Sequence, residues 1–288
     1  MPKMSSQLQK SKLCFIGGGN MAGAIIGGLV TKGIDKQNIY VSEPWDVNRE
    51  KIAATGVRTS ASNVEASQDA DLLILAVKPQ VTKGVCQELA GAWAGRTSLP
   101  LIVSIAAGIT LESLKEWFKL ADGRSPHIIR VMPNTPALLG EGASGLFASD
   151  DVSQAEKDLA ASLLSSVSKV AEWVDREELI DVVTGLSGSG PAYFFAVVEH
   201  LIESGISLGL TREQATRLAK QTCYGAGKML VESSDEPAQL RINVTSPKGT
   251  TEAALKSFEA SGLKESVDKA VKAAANRGKE LGETLAKS

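Results

Sequence analysis

The chain has 288 residues, 43% hydrophobic and 22% charged, an ordinary globular composition with length for two domains. A formal net charge of −2 provides no basic field and argues against a nucleic-acid partner. Two His, and three Cys without metal-ligand spacing, argue against a metal site; Cys14, Cys86 and Cys223 are expected to be buried, reduced thiols.

In chain order, residues 1–11 are polar and lack the apolar centre of a signal peptide, so they are predicted to be a disordered lead-in. Residues 13–17 form a strand, followed by a helix over 20–32 that stops at Gly33. Strands follow at 39–42, 71–77, 101–105, 127–132, 144–148 and 171–174, with helices over 48–54, 82–90, 110–119 and 153–168. Short apolar strands alternating with helices specify an α/β Rossmann domain, a doubly wound and mainly parallel sheet with both faces covered. Beyond Asp175 strand signals vanish, and helices are predicted at 178–186, 191–207, 212–231, 237–244, 251–255 and 263–285. The division is thus a dinucleotide-binding domain over 1–175 and an all-helical domain over 176–288. The helix 191–207 is apolar over much of its surface (Phe194, Phe195, Val197, Val198, Leu201, Ile202), which calls for burial all round and so for a homodimer. No apolar run reaches the length of a membrane span, so neither membrane nor export is expected and the cytoplasm is the default.

The first strand runs into Gly17-Gly18-Gly19-Asn20-Met21-Ala22, a G-x-G-x-x-A turn opening a helix. Gly17 allows the tight turn, Gly19 lets a pyrophosphate approach the backbone, and Ala22 lets helix and strand pack closely. The helix N-terminus then offers N–H groups and a positive dipole end to the phosphates. The second strand ends at Ser42 and Glu43, where an acid pairs with the ribose hydroxyls of NAD. Arg49 is near enough in sequence to favour the extra phosphate of NADP, so NADH and NADPH both stay open. Ala76-Val77-Lys78-Pro79, Ser104-Ile105-Ala106-Ala107-Gly108 and Met132-Pro133-Asn134-Thr135-Pro136 follow the carboxyl ends of strands and should line the same crevice. There, small Ala106 and Ala107 leave room for a flat ring.

Two segments of the helical part carry polar chemistry. Ser187-Gly188-Ser189-Gly190-Pro191 starts a helix, with glycines for close approach or for substrate contact. In Ser246-Pro247-Lys248-Gly249-Thr250-Thr251, the hydroxyls of Ser246, Thr250 and Thr251 join the N–H groups of Gly249, Thr250 and Thr251 at a helix start. That is an anion cradle suited to a carboxylate.

These motifs, in this order, resemble the pyrroline-5-carboxylate reductases over residues 13–281, above all in Met-Pro-Asn-Thr-Pro, Ser-Gly-Ser-Gly-Pro-Ala-Tyr and Ser-Pro-x-Gly-x-Thr. The resemblance implies reduction of the cyclic imine Δ1-pyrroline-5-carboxylate to L-proline with NADPH or NADH. It also implies a helical dimerisation domain with interlocking helices and, in some members, pentamers of dimers. Carried over, it assigns the substrate carboxylate to Ser246 and the N–H groups of Gly249, Thr250 and Thr251, and the ring nitrogen to the Thr251 hydroxyl. It turns Asn63 and Lys78 towards the dinucleotide and sets Asn243, Ser187 and Gly188 around the substrate. The chain departs from the family at Lys248, where many members have Gly, and at Glu43, where NADPH-preferring members have a small polar residue.

Two other readings stand beside this one. A β-hydroxyacid dehydrogenase needs a basic Lys on the helix 191–207, which carries Glu199 and His200 instead. A dinucleotide sensor would have no use for the anion cradle.

Overall fold

The computed structural model describes residues 5–287. The lead-in expected to be disordered forms helix α1 (Ser6–Lys10), because the Ser5 hydroxyl caps the N–H of Leu8 and Leu8 is fully buried. Residues 1–4 of that expectation lie outside the described residues.

The chain then alternates β1 (Leu13–Ile16), α2 (Asn20–Thr31), β2 (Ile39–Ser42), α3 (Asp46–Ala53), β3 (Arg58–Ser60), α4 (Asn63–Ser67), β4 (Leu72–Leu75) and α5 (Pro79–Ala92). It continues through β5 (Leu101–Ser104), α6 (Leu111–Trp117), β6 (Ile128–Met132), β7 (Gly142–Ala148), α7 (Gln154–Leu164) and β8 (Ser168–Trp173). The eight strands form one sheet in the order β3-β2-β1-β4-β5-β6-β7-β8. Only the β6–β7 pairing is antiparallel. The sequence expected neither β3 nor α4. It also started α5 three residues late, since Pro79 already occupies the first helical turn.

β1, β4 and β5 are buried at every residue, as strands covered by helices on both faces must be. One core packs α2 and α7 on the sheet through Phe15, Ile25, Ile26, Leu29, Leu163 and Leu164. The other packs α5 and α6 through Leu73, Leu75, Leu89, Leu114, Trp117 and Phe118, with Trp93 stacked on Phe118 at 5.7 Å between ring centroids. Cys14 and Cys86 lie in this second core, where burial pushes their thiols far up. Cys223 is only half-buried, less than expected.

Beyond β8 follow α8 (Leu179–Val183), a π-helical turn (Thr184–Gly188), α9 (Gly190–Ser207), α10 (Arg212–Glu232), α11 (Pro237–Asn243), α12 (Thr250–Ala260) and α13 (Leu263–Lys287). The chain divides into two compact units. The first reaches to Gly188 and takes in the residues from Ala273 onward; the second is Ser189–Lys272. The compact division therefore falls later than the change of composition at 175. α8 belongs to the sheet, with Ile180 buried and a Cβ at Gly145 reaching 2.7 Å from Val183. The end of α13 does too: a Cβ at Gly282 would clash with the Gly108 carbonyl.

Within the second unit only Gly190 and Ala215 are buried. Gly205 brings α9 and α10 together, a Cβ there meeting Ala215 and Leu210 at 3.3 Å. Phe195 stays 68% and Tyr224 65% exposed, so one copy leaves the apolar face of α9 and α10 uncovered. Among the described residues no helix is long and apolar enough to cross a membrane.

Candidate functional site

In an open parallel sheet, ligands sit beyond the carboxyl ends of the strands, where the strand order reverses. That point here lies between β1 and β4. The strand ends are pinned in step: the Gly17 N–H donates to the Ser42 carbonyl at 2.8 Å, Ala76 to Ile16 at 2.8 Å, and Ile105 to Leu75 at 3.1 Å.

Gly17 adopts φ +100°, and a Cβ there would sit 2.7 Å from the Ala76 carbonyl oxygen, so both space and backbone demand glycine. Gly19 caps α2 without a side-chain bond, and a Cβ on it would meet nothing within 4 Å. The N–H groups of Asn20 and Met21 meet no acceptor among the described residues. The open space over Gly19 and these donors together fit a pyrophosphate. Ala22 is buried against the sheet, and a Cβ on Gly28 would lie 2.5 Å from the Ser166 carbonyl, so α2 lies close to its neighbours at both ends.

The carboxylate of Glu43 is turned inward. It accepts the Gly18 N–H at 2.8 Å and the Trp45 N–H at 3.0 Å, and the residue is 8% exposed. Arg49 is occupied locally, donating to the Glu43 and Pro44 carbonyls at 2.9 and 3.2 Å and pairing with Asp46. Ser42 is fully buried and donates its hydroxyl to Asn63 Oδ1 at 2.7 Å, while Asn63 Nδ2 donates to Glu88 at 2.7 Å. Asn63 thus lies at the β2 end, fixed from both sides. Sequence reasoning missed Gly18 as the donor to Glu43, although it lies inside the motif. It also missed Glu88, which nothing in the local sequence marks.

Lys78 is the exposed N-cap of α5, and Pro79 is its first residue. Ala106 is buried and Ala107 exposed at the β5 end. Val77 and Ala76 are half-buried beside Gly17. Asn134, expected in the cofactor crevice, is engaged within the protein. Its side-chain amide is buried and tied to Ala143 and Ser187, so it braces the crevice wall. Ser187 and Gly188 lie in the π-helical turn, where a Cβ on Gly188 would come 2.5 Å from Met132 Cε. π-turns collect at functional positions. Among the described residues no three His, Cys, Asp or Glu gather to hold a metal.

In the second unit, α11 ends at Asn243, whose amide is held by Gln239 at 2.7 Å and Asp235 at 3.2 Å. The following turn returns the chain through Lys248 at φ 59°, a left-handed conformation that favours glycine. The sequence leaves the Gly249 N–H open for a ligand, but it donates to the Ser246 carbonyl at 3.0 Å. A Cβ at Gly249 would reach that same oxygen at 3.0 Å. The N–H groups of Thr250 and Thr251 do remain without acceptors among the described residues, beside the hydroxyls of Ser246 and Thr251. Glu252 closes the turn by accepting the Lys248 N–H and an ion pair from Lys256 at 2.6 Å, which hold its carboxyl below the usual range.

Comparison with known proteins bears on both units. Residues 177–281 match the family model described as pyrroline-5-carboxylate reductase dimerisation, and residues 12–108 that described as NADP oxidoreductase coenzyme F420-dependent. A pyrroline-5-carboxylate reductase of Pseudomonas aeruginosa is 49% identical over 275 residues, covering 95% of this chain and 98% of that protein. One of Arabidopsis thaliana is 38% identical over 95% of this chain and 96% of its own. Among solved structures, a pyrroline-5-carboxylate reductase from Coxiella burnetii superposes with a TM-score of 0.87 at 41% identity, over 94% of this chain and 98% of that one. The pyrroline carboxylate reductase of Plasmodium falciparum with NADP bound gives 0.82 at 31%, over 95% and 99%.

Proposed function

The chain belongs to the pyrroline-5-carboxylate reductase family, and from that premise we propose how its residues share the work. The reaction is the NAD(P)H-dependent reduction of the C=N bond of Δ1-pyrroline-5-carboxylate to L-proline, the last step of proline biosynthesis. The observation that carries this reading is the identity to the Pseudomonas aeruginosa enzyme across almost the whole of both chains.

On the cofactor side, Gly17 and Gly19 shape the turn, and the N–H groups of Asn20 and Met21 hold the pyrophosphate. Ser42, Glu43 and Asn63 border the adenosine end. Ala76, Val77, Lys78, Pro79, Ala106 and Ala107 line the strand ends towards the nicotinamide, and Asn134 braces them from behind. Bound NAD(P)H supplies the hydride.

On the substrate side, Ser246 and the N–H groups of Thr250 and Thr251 hold the carboxylate, and Gly249 gives the turn its closeness. The Thr251 hydroxyl hydrogen-bonds the ring nitrogen; Asn243, and in the first unit Ser187 and Gly188, are further substrate contacts. An imine nitrogen is basic enough to arrive protonated or to take its proton from water. The protein's part is to fix the ring at carboxylate and nitrogen, so that orientation supplies much of the rate.

The match to a dimerisation module makes the protein a homo-oligomer. We take its unit to be a homodimer closed over the apolar face of α9 and α10, with a decamer as the larger assembly, acting in the cytoplasm. Functionally we assign dinucleotide binding to residues 1–175, and dimerisation with substrate binding to 176–288. The test is to mix the purified protein with pyrroline-5-carboxylate and either NADH or NADPH, follow loss of the reduced cofactor's near-ultraviolet absorbance, and assay proline. Folded protein that binds cofactor yet makes no proline would overturn the reading.

A further inference from the structure

The pinned carboxylate at the end of β2 sits where a Rossmann fold reads the adenosine ribose. Glu43 cannot swing away from that position without leaving two backbone donors, Gly18 and Trp45, unpaired. A Cβ on Gly18 would lie 3.2 Å from the Glu43 carboxylate, which places the acid directly against the phosphate-binding turn. A nicotinamide dinucleotide lying over Gly19 brings its adenosine ribose to this acid. Each carboxylate oxygen retains a lone pair for a ribose hydroxyl, whereas a 2′-phosphate would meet a fixed negative charge.

The cation nearest the acid in the fold, Arg49, is engaged elsewhere; Lys51, further along α3, lines the cavity over Gly18 and Gly19. Arg49 spans the carbonyls of Glu43 and Pro44 and pairs with Asp46, so its guanidinium braces the loop below the ribose position. The hydroxyl of Ser42 is likewise occupied by Asn63 and fully buried. Arg49 and Ser42 are thus committed within the protein, while the acceptor that welcomes a diol is held in place against the phosphate-binding turn.

We infer that Glu43 is the specificity-determining residue that makes this chain favour NADH over NADPH. The inference rests on the reductase reading only for its turnover assay; the binding assay needs the dinucleotide alone. Titration of the full-length protein with NADH and with NADPH should show NADH binding at least about tenfold more tightly, a difference of about 1.4 kcal/mol. The ratio of kcat/KM values should follow, chiefly through KM. Glu43→Ser should move the NADPH-to-NADH ratio towards NADPH by roughly tenfold or more, about one like-charge contact removed. Arg49→Ala should leave that ratio where it is, because Arg49 holds carbonyls and not the phosphate.

Glu43→Gln serves if the serine variant does not fold, since it keeps one acceptor and the side-chain volume while removing the charge. The ratio is taken within each variant, so a general loosening of the loop cancels. Wild-type protein that prefers NADPH, an unchanged ratio in Glu43→Ser or Glu43→Gln, or a selective loss of NADPH in Arg49→Ala would each overturn the inference. Selective NADH binding without proline formation would leave it standing and remove the reductase reading instead.

Discussion

The side-chain amide of Asn134 donates to the carbonyl oxygen of Ser187 at 3.1 Å. The same side chain accepts the Ala143 N–H at 3.0 Å. One buried residue therefore ties the loop after β6 to the start of β7 and to the π-helical turn. Asn134→Ala strands a buried donor and an acceptor, and should cost about 1–3 kcal/mol in urea unfolding. Asn134→Asp keeps the acceptor for Ala143 but sets a carboxylate against the Ser187 carbonyl, so it should also destabilise. Unchanged unfolding midpoints would show that the bridge carries no strain-bearing contact.

Gly17 and Gly19 should fail in different ways. Gly17→Ala brings a side chain to 2.7 Å from the Ala76 carbonyl at φ +100°, so the fold itself should lose stability. A Cβ on Gly19 meets nothing within 4 Å, so in Gly19→Val melting should stay near wild type while dinucleotide binding is lost. Wild-type cofactor affinity in Gly19→Val would refute the pyrophosphate assignment.

Thr251→Ala removes one hydroxyl at the start of α12 and leaves the N–H groups in place. Turnover should fall by roughly tenfold to a hundredfold, the range of one hydrogen bond to a charged partner, with cofactor affinity unchanged. Equal losses in both would sink the assignment to the ring nitrogen.

Asp181 gives a pH signature. Burial pushes its carboxyl above the ordinary value, Glu177 adds to the rise, and Arg130 and Lys279 oppose it. A raised acid binds its proton more tightly when folded than when unfolded. It therefore contributes a loss of stability as pH rises upward from about 4, the ordinary Asp value. Asp181→Asn should be more stable than wild type at neutral pH, with the gap closing as pH falls towards 4. A gap that does not depend on pH would show that Asp181 titrates alike in the folded and unfolded chains, overturning the raised value.

Lys248→Gly should stabilise the turn before α12. A lysine at φ 59° carries left-handed strain of about 1–2 kcal/mol, partly offset by the entropy a glycine loses on folding. Thermal melting should rise slightly, and KM for pyrroline-5-carboxylate should barely move, since the lysine side chain is exposed. A large increase in KM would make the ammonium part of the carboxylate site.

Long apolar runs and small-residue turns were legible in the sequence: β1, β4, β5, the glycine turn and the helix start at Thr250 all stand out by pattern. β3 was not, because Arg58, Thr59 and Ser60 include no large apolar residue and hold their place by pairing with β2. α4 depends on the Ser62 cap rather than on periodicity. Among the site residues, type was easier to read than orientation. Glu43 and Asn134 were marked as polar groups at strand ends, but only folding reveals that Gly18, Trp45, Ala143 and Ser187 claim them. Gly249 shows the same limit: its N–H was counted for the ligand and belongs to Ser246.

The second unit buries only Gly190 and Ala215 by itself, which changes what dissociation means for this protein. If the homodimer proposed above supplies the missing interior, helices that part company lose the burial that keeps them folded. On that proposal, exchange of subunits should run on the timescale of unfolding. Two batches carrying different labels, made apart and then mixed, would stay unscrambled until denaturant or heat let both chains begin again.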